Sequence, residues 1–212
     1  MDWVLIKDVN KYNDREVTLK GWVYNKRSSG KIWFLILRDG TGIIQGVVLK
    51  NEVSEDVFNI KDELTQESSV IVQGLIHADK RSPGGYEIVV RDIKVVQIAT
   101  DYPIALKDHG VEFLMDNRHL WLRSRKQWAI LRIRHTVYYA ITEYLNNNGF
   151  IRFDSPLLTP NACEGTTTLF TVPYFDLGNA YLSQSGQLYL EAGIMSLGRV
   201  YDFGPVFRAE KS

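Results

Sequence analysis

Apolar and polar residues alternate in five stretches of the first hundred positions, with the period of a half-buried strand. Residues 16–24 form the first stretch, and a polar turn over 25–30 leads into the second, 32–38. Asp39-Gly40-Thr41-Gly42 then turns the chain into the third, 43–49. On the second strand Trp33, Leu35 and Leu37 share one face, while Ile32, Phe34 and Ile36 share the other. Ser54 is placed to cap a short helix carrying Val57, Phe58 and Leu64. A fourth strand over 69–77 and a Pro83-Gly84-Gly85 turn into a fifth, 86–98, complete the set. Five strands with a helix between the third and fourth is the order of the OB-fold, an all-β barrel.

Beyond residue 99 the period changes. Residues 99–124, with Pro103 and Gly110, read as irregular chain leading into a second domain. From Ser124 or Arg125 to Asn148, Ile130, Ile133, Val137, Ile141 and Tyr144 or Leu145 recur at helical spacing. They predict a long helix with one buried stripe, stopped at Gly149. A strand over 150–154 running into Ser155-Pro156 follows, then a loop over 157–165 and a strand over 169–172. Another strand enters Gln184-Ser185-Gly186-Gln187, and a helix starts near Leu188. The last stretch predicts a strand at Val200, a break at Gly204-Pro205 and a second strand through Arg208-Ala209-Glu210. The second domain is thus α+β. The expected division is 1–100 for the barrel, 101–124 for a hinge and 125–212 for the second domain.

Composition narrows the class. Apolar residues make up 45% of 212, enough for real cores. Lys plus Arg and Asp plus Glu both number 25, so any contact with nucleic acid must be local and geometric. Cys163 is the one cysteine and has no disulfide partner in the chain. Charges at the N-terminus replace the apolar run a signal peptide needs, and no apolar stretch reaches the length of a membrane span. A soluble cytoplasmic protein is the expectation, without contact to a membrane.

The candidate chemistry centres on Arg208 and Glu210, two apart and therefore on one face of a strand. A guanidinium fork beside a carboxylate suits a ligand with an anionic part and a hydrogen-bond-donating part, such as a phosphate and an adenine amino group. A solvated ion pair on an edge strand has the same spacing. Phe34, on an apolar outer row, suits base stacking, or equally a barrel wall covered by another part of the protein. Cys163 has no activating neighbour in sequence, so a nucleophilic role is not assigned to it. His119 reads as structural or solvated, since no metal partner or nucleophile accompanies it in sequence.

The run Tyr201-Asp202-Phe203-Gly204-Pro205-Val206-Phe207-Arg208-Ala209-Glu210-Lys211-Ser212 resembles motif 2 of class II aminoacyl-tRNA synthetases in the aspartate, asparagine and lysine subclass, and is similar to the asparagine version. The long helix, the strand after it and Ser155-Pro156 look like motif 1, which implies part of an α+β catalytic domain with an antiparallel sheet and a homodimer interface including Pro156. The stretch 17–45 is similar to the anticodon-binding domain of the same subclass. That resemblance implies RNA contacts at Arg27 in the turn after the first strand, at Phe34 for stacking and at Gln45, with Glu87 on the last strand. It assigns ATP binding to Arg208 and Glu210, with Arg208 the catalytic group bridging the α-phosphate and the substrate carboxylate. Amino-acid binding falls on Glu164, Ser185, Gln187 and Glu191.

Aspartate-specific members carry a lysine at the position of Leu190; here leucine is followed by Glu191, and a carboxylate accepts from an amide nitrogen where it would repel an acid. The resemblance therefore implies ATP-dependent activation of asparagine and its transfer to tRNA-Asn, with Mg2+ accompanying ATP and no metal ligand in these residues. Motif 3 has no counterpart before Ser212, which follows directly on a strand-like segment. An incomplete polypeptide, unable to aminoacylate by itself, is the expectation. Two readings stand beside it: an RNA-binding module with a vestigial catalytic half, and a non-discriminating aspartyl enzyme.

Overall fold

The computed structural model describes residues 3–161 and 169–210 and divides into two units, 1–117 and 118–212. In the first unit β1 (Glu16–Ser29), β2 (Ile32–Arg38), β3 (Ile43–Leu49), β4 (Ser69–Ala78) and β5 (Tyr86–Gln97) close into a barrel of order β1-β2-β3-β5-β4. All neighbours are antiparallel except β3 and β5. The alternation on β2 works as expected: Trp33, Leu35 and Leu37 are buried with Leu19, Ile44, Val72 and Ile88 in one core, and Ile32, Phe34 and Ile36 are only half-buried. A short helix α1 (Glu55–Asn59) sits between β3 and β4, with the Ser54 hydroxyl accepting the Val57 N–H at 3.3 Å. Phe58, on α1, closes part of the core.

Two features of this unit differ from the sequence reading. β1 continues through 25–29 where a turn was expected, because these residues pair across β2 after a bulge between Val23 and Asn25. Arg27 therefore stands on a strand opposite Phe34, and not in a turn. Residues 6–12, unassigned from the pattern, form a 3-10 helix that buries Ile6 and Val9, held by the Ile6 N–H donating to Asp39 Oδ2 at 2.8 Å.

The segment expected to be irregular contains two short helices, α2 (Val111–Asp116) in the first unit and α3 (Arg118–Trp121) in the second. In the second unit α4 (Arg125–Asn147) is capped by Ser124 and closed by Gly149 at φ 79°, the left-handed conformation that favours glycine. Its stripe is not buried, contrary to the periodicity: Ile133, Val137 and Tyr144 are more than half exposed, and Ile130 and Ile141 are exposed as well. Among the described residues α4 is packed on one side, through an Arg152 Nη1 bond to the Tyr138 hydroxyl at 2.9 Å and an edge-on contact of Tyr138 with Phe203 at 4.5 Å.

The strands of this unit are short. β6 (Ile151–Arg152) pairs in parallel with β10 (Val200–Tyr201), while β7 (Leu158–Thr159), β9 (Asn179–Leu182) and β8 (Thr171–Pro173) form an antiparallel sheet in that order. α5 (Gln187–Leu197) follows β9. The strand expected over 206–210 does not form. The Phe207 N–H donates to Ser183 O at 2.9 Å, and one such bond is not a ladder.

Candidate active site and nucleic-acid face

On the barrel, the four residues expected to contact RNA form one connected group. Arg27 lies over the Phe34 ring, 4.5 Å from its centroid, and its Nη2 donates to Gln45 Oε1 at 3.3 Å. Gln45 Nε2 in turn donates toward Glu87 Oε2 and Ser82 Oγ, both at 3.3 Å, and the Ser82 hydroxyl donates to Glu87 Oε2 at 2.9 Å. The strands make this arrangement: Arg27 is registered with Phe34 across β1 and β2, and Gln45 with Glu87 across β3 and β5. Ser82 was missed in the sequence. It sits in the loop before β5, and no periodic signal marks a loop serine. That loop is held by the Asp79–Arg81 pair, in which the guanidinium pulls the Asp79 carboxyl down to about 2.

The arrangement offers a stacking ring, a cation above it and an amide with one donor and one acceptor side. Both hydrogens of Gln45 Nε2 are directed at Glu87 and Ser82, while Oε1 accepts one bond from Arg27 and keeps a second lone pair for a base edge. An unstacked base laid on Phe34 meets this set.

In the second unit an open pocket of about 520 Å³ is bounded by Ser185, Gln187, Leu190, Glu191, Asp202 and Arg208, among others. Four of the expected residues, Ser185, Gln187, Glu191 and Arg208, are brought together there. The turn before α5 places them: the Ser185 hydroxyl accepts the Gln187 N–H at 3.0 Å, a local turn bond around Gly186, the N-cap of the helix. One turn on, Gln187 Nε2 donates to Glu191 Oε1 at 3.1 Å, fixing the carboxylate. Residues 207–210 alternate half-buried and exposed, with Arg208 and Glu210 both exposed. Arg208 borders the pocket and Glu210 does not. Glu164 lies outside the described residues, as does Cys163. Pro156 is exposed between β6 and β7. Asp202 and Gln184 also line the pocket, and the sequence reading assigned neither a role.

The pocket lining holds a cation, Arg208, and two carboxylates, Glu191 and Asp202, an arrangement for a ligand with a negative centre and an amide or ammonium end. A barrel with a base-sized aromatic site and a unit with such a pocket define a class. The family model described as OB-fold nucleic acid binding domain matches residues 17–96, and that described as tRNA synthetases class II (D, K and N) matches 110–212. The chain belongs to the class II tRNA synthetases of this group.

Within the group it is similar to proteins named asparagine--tRNA ligase. That of Roseiflexus castenholzii is 57% identical over 98% of this chain and 47% of the relative, and that of Desulforamulus reducens 54% identical over 100% and 49%. The asparaginyl-tRNA synthetase of Pyrococcus horikoshii, solved with asparaginyl-adenylate, superposes with a TM-score of 0.93 at 43% identity, covering 100% of this chain and 49% of that one. The chain spans about half the length of the curated relatives it matches. Among the described residues no helix is long and apolar enough to cross a membrane.

Proposed function

We propose that the protein activates asparagine with ATP and transfers it to tRNA-Asn, as an asparagine--tRNA ligase. The observation that carries this is the meeting of Glu191, oriented by Gln187, with Arg208 in one pocket. The carboxylate of Glu191 accepts from a carboxamide nitrogen and repels a second acid, which selects asparagine over aspartate. Arg208 draws the α-carboxylate of asparagine and the α-phosphate of ATP together, so that one carboxylate oxygen bonds to phosphorus and pyrophosphate leaves. The barrier is the approach of two anions, and positioning with charge neutralisation lowers it. The terminal ribose hydroxyl of the tRNA then takes the asparaginyl group and AMP leaves.

ATP enters with Mg2+ as its substrate complex, and Glu210 is assigned to the adenine amino group. Ser185 and Glu164 complete the amino-acid site. Arg27, Phe34, Gln45 and Glu87 read the anticodon, in which the N3–H of a central uridine suits the remaining acceptor capacity of Gln45 Oε1. We take 1–100 as the anticodon-reading domain, 101–124 as the hinge and 125–212 as part of the catalytic domain, acting in the cytoplasm. The exposed apolar stripe of α4, with β6 and Pro156, is assigned to a homodimer interface. A contiguous apolar surface of this kind on a water-soluble unit suits a partner.

The test is pyrophosphate exchange by a polypeptide of the relatives' length carrying these residues. Asparagine is expected to support exchange and aspartate to give less than about a tenth of that rate, the discrimination that one mismatched charge imposes. Equal exchange with both acids would leave a non-discriminating enzyme, and none with either would end the reading.

A further inference from the structure

Gly186 sits in the turn that starts α5, with a φ of −79°, a value open to any residue. Its backbone does not call for glycine, but its surroundings do. A Cβ at this position would stand 2.6 Å from Ser155 Oγ and would collide outright with the Asp202 carboxylate, both inside the 3.0 Å that real Cβ atoms keep. Asp202 leaves β10 and Ser155 follows β6, the parallel partner of β10, so both side chains come from the same end of one ladder. The Ser155 hydroxyl donates to Gly186 O at 3.4 Å. The other oxygen of Asp202, Oδ1, accepts the Gly204 N–H at 2.8 Å. Asp202 thus touches two segments at once: the Ser185–Gln187 turn through its Oδ2, and the Gly204-Pro205 turn leading to Arg208 through its Oδ1.

Both segments line the pocket. Ser185, Gln187 and Glu191 come from the turn and helix of α5, Arg208 from the segment after β10, and Asp202, in that second segment, lines the same pocket. A carboxylate beside the first turn of a helix is also electrostatically favoured, which holds Asp202 in place. We infer that Asp202 is a positioning residue that sets the distance between the amino-acid side of the pocket and Arg208, and that Gly186 is glycine to make room for it. The inference rests on the reading that this pocket takes asparagine and the adenylate phosphate together. A ligand that spans both segments feels the spacing, because its two ends are fixed relative to each other.

Calorimetric titration of the 212-residue chain with asparaginyl sulfamoyl adenosine, a non-hydrolysable mimic of the adenylate, tests it. Asp202→Ala removes the bridge and is expected to weaken binding about 10- to 100-fold, the scale that a misplacement of about 1 Å imposes on aligned groups. Asp202→Asn keeps the Oδ1 acceptor for Gly204 and is expected to recover binding to within about threefold of wild type. Gly186→Ala drives Asp202 out of position and is expected to match Asp202→Ala, and the double variant to be no worse than either single one. Asp202→Ala that binds within about threefold of wild type would overturn the inference, as would equal losses for Ala and Asn, which would make the charge and not the bridge the active element. If Asp202→Ala does not fold, Gly186→Ala decides: a folded variant that binds like wild type overturns the inference. Failure of the wild-type chain to bind the mimic would instead overturn the reading of the pocket, and this inference with it.

Discussion

Gln45 Nε2 stands 3.3 Å from Glu87 Oε2 across the parallel pairing of β3 and β5, while Gln45 Oε1 accepts from Arg27. The amide is therefore held by its neighbours with a known sense before any base arrives. Loss of that amide is expected to erase discrimination and leave the fold intact, since the group lies on the outside of the barrel. Gln45→Ala should weaken an anticodon stem-loop with a central uridine about 10-fold or more, and bring a central-cytidine stem-loop to the same affinity. Fluorescence anisotropy with the two stem-loops reads both effects, and retained preference for uridine would remove Gln45 from the reading set.

Phe34 is half-buried on the outer row of β2, under Arg27 at 4.5 Å. Stacking of a base on an aromatic ring is worth about 1–3 kcal/mol, so Phe34→Ala is expected to lower stem-loop affinity by that amount for every base at the position. Phe34→Tyr should retain most of it. A loss confined to one base would indicate edge recognition and not stacking.

Gly74 tests the packing of the barrel itself. β4 is bulged against β5 between Gln73 and Gly74, and a Cβ at Gly74 would strike Val89 O and stand 2.9 Å from Ile88 Cγ1. Overpacking of this kind costs about 1–3 kcal/mol, so Gly74→Ala is expected to lower the urea midpoint of the barrel without altering its slope. Gly40→Ala, which meets no atom within 4 Å, should be close to neutral.

Asp79 gives a pH signature for the loop that carries Ser82. Its carboxyl is held at about 2, below the ordinary 3.8, chiefly by hydrogen bonds from the Arg81 side chain and backbone. A group lowered on folding stabilises fully above its unfolded value, and that contribution is lost as pH falls through the folded one. The window here runs from about 3.8 down to about 2. The Asp79 carboxyl carbon, followed by NMR, is expected to titrate near 2 and to return toward 3.8 in Arg81→Ala.

The barrel was largely legible because alternation has one period and one meaning when a single face is buried: β2 and β3 fall on the residues the pattern names. Residues 25–29 were not legible, since polar side chains on an exposed ribbon carry no burial signal, and only pairing across β2 shows that Arg27 is on a strand. The stripe of α4 was read correctly as apolar and wrongly as buried, because periodicity reports affinity for a partner surface and not whose surface it is. The strand through Arg208 failed for a related reason: an extended segment becomes a strand only where a ladder meets it. Ser82 and Asp202 escaped notice because each meets a residue distant in sequence, Gln45 for the one and Gly186 for the other.

The central claim is that Glu191 and Arg208 form one pocket selective for an asparaginyl group joined to adenylate. Calorimetric titration of the chain with the asparaginyl and aspartyl forms of sulfamoyl adenosine tests it most directly. The account predicts at least about 10-fold tighter binding of the asparaginyl form, an advantage that Glu191→Gln abolishes. Equal or tighter binding of the aspartyl form by the wild-type chain would contradict it.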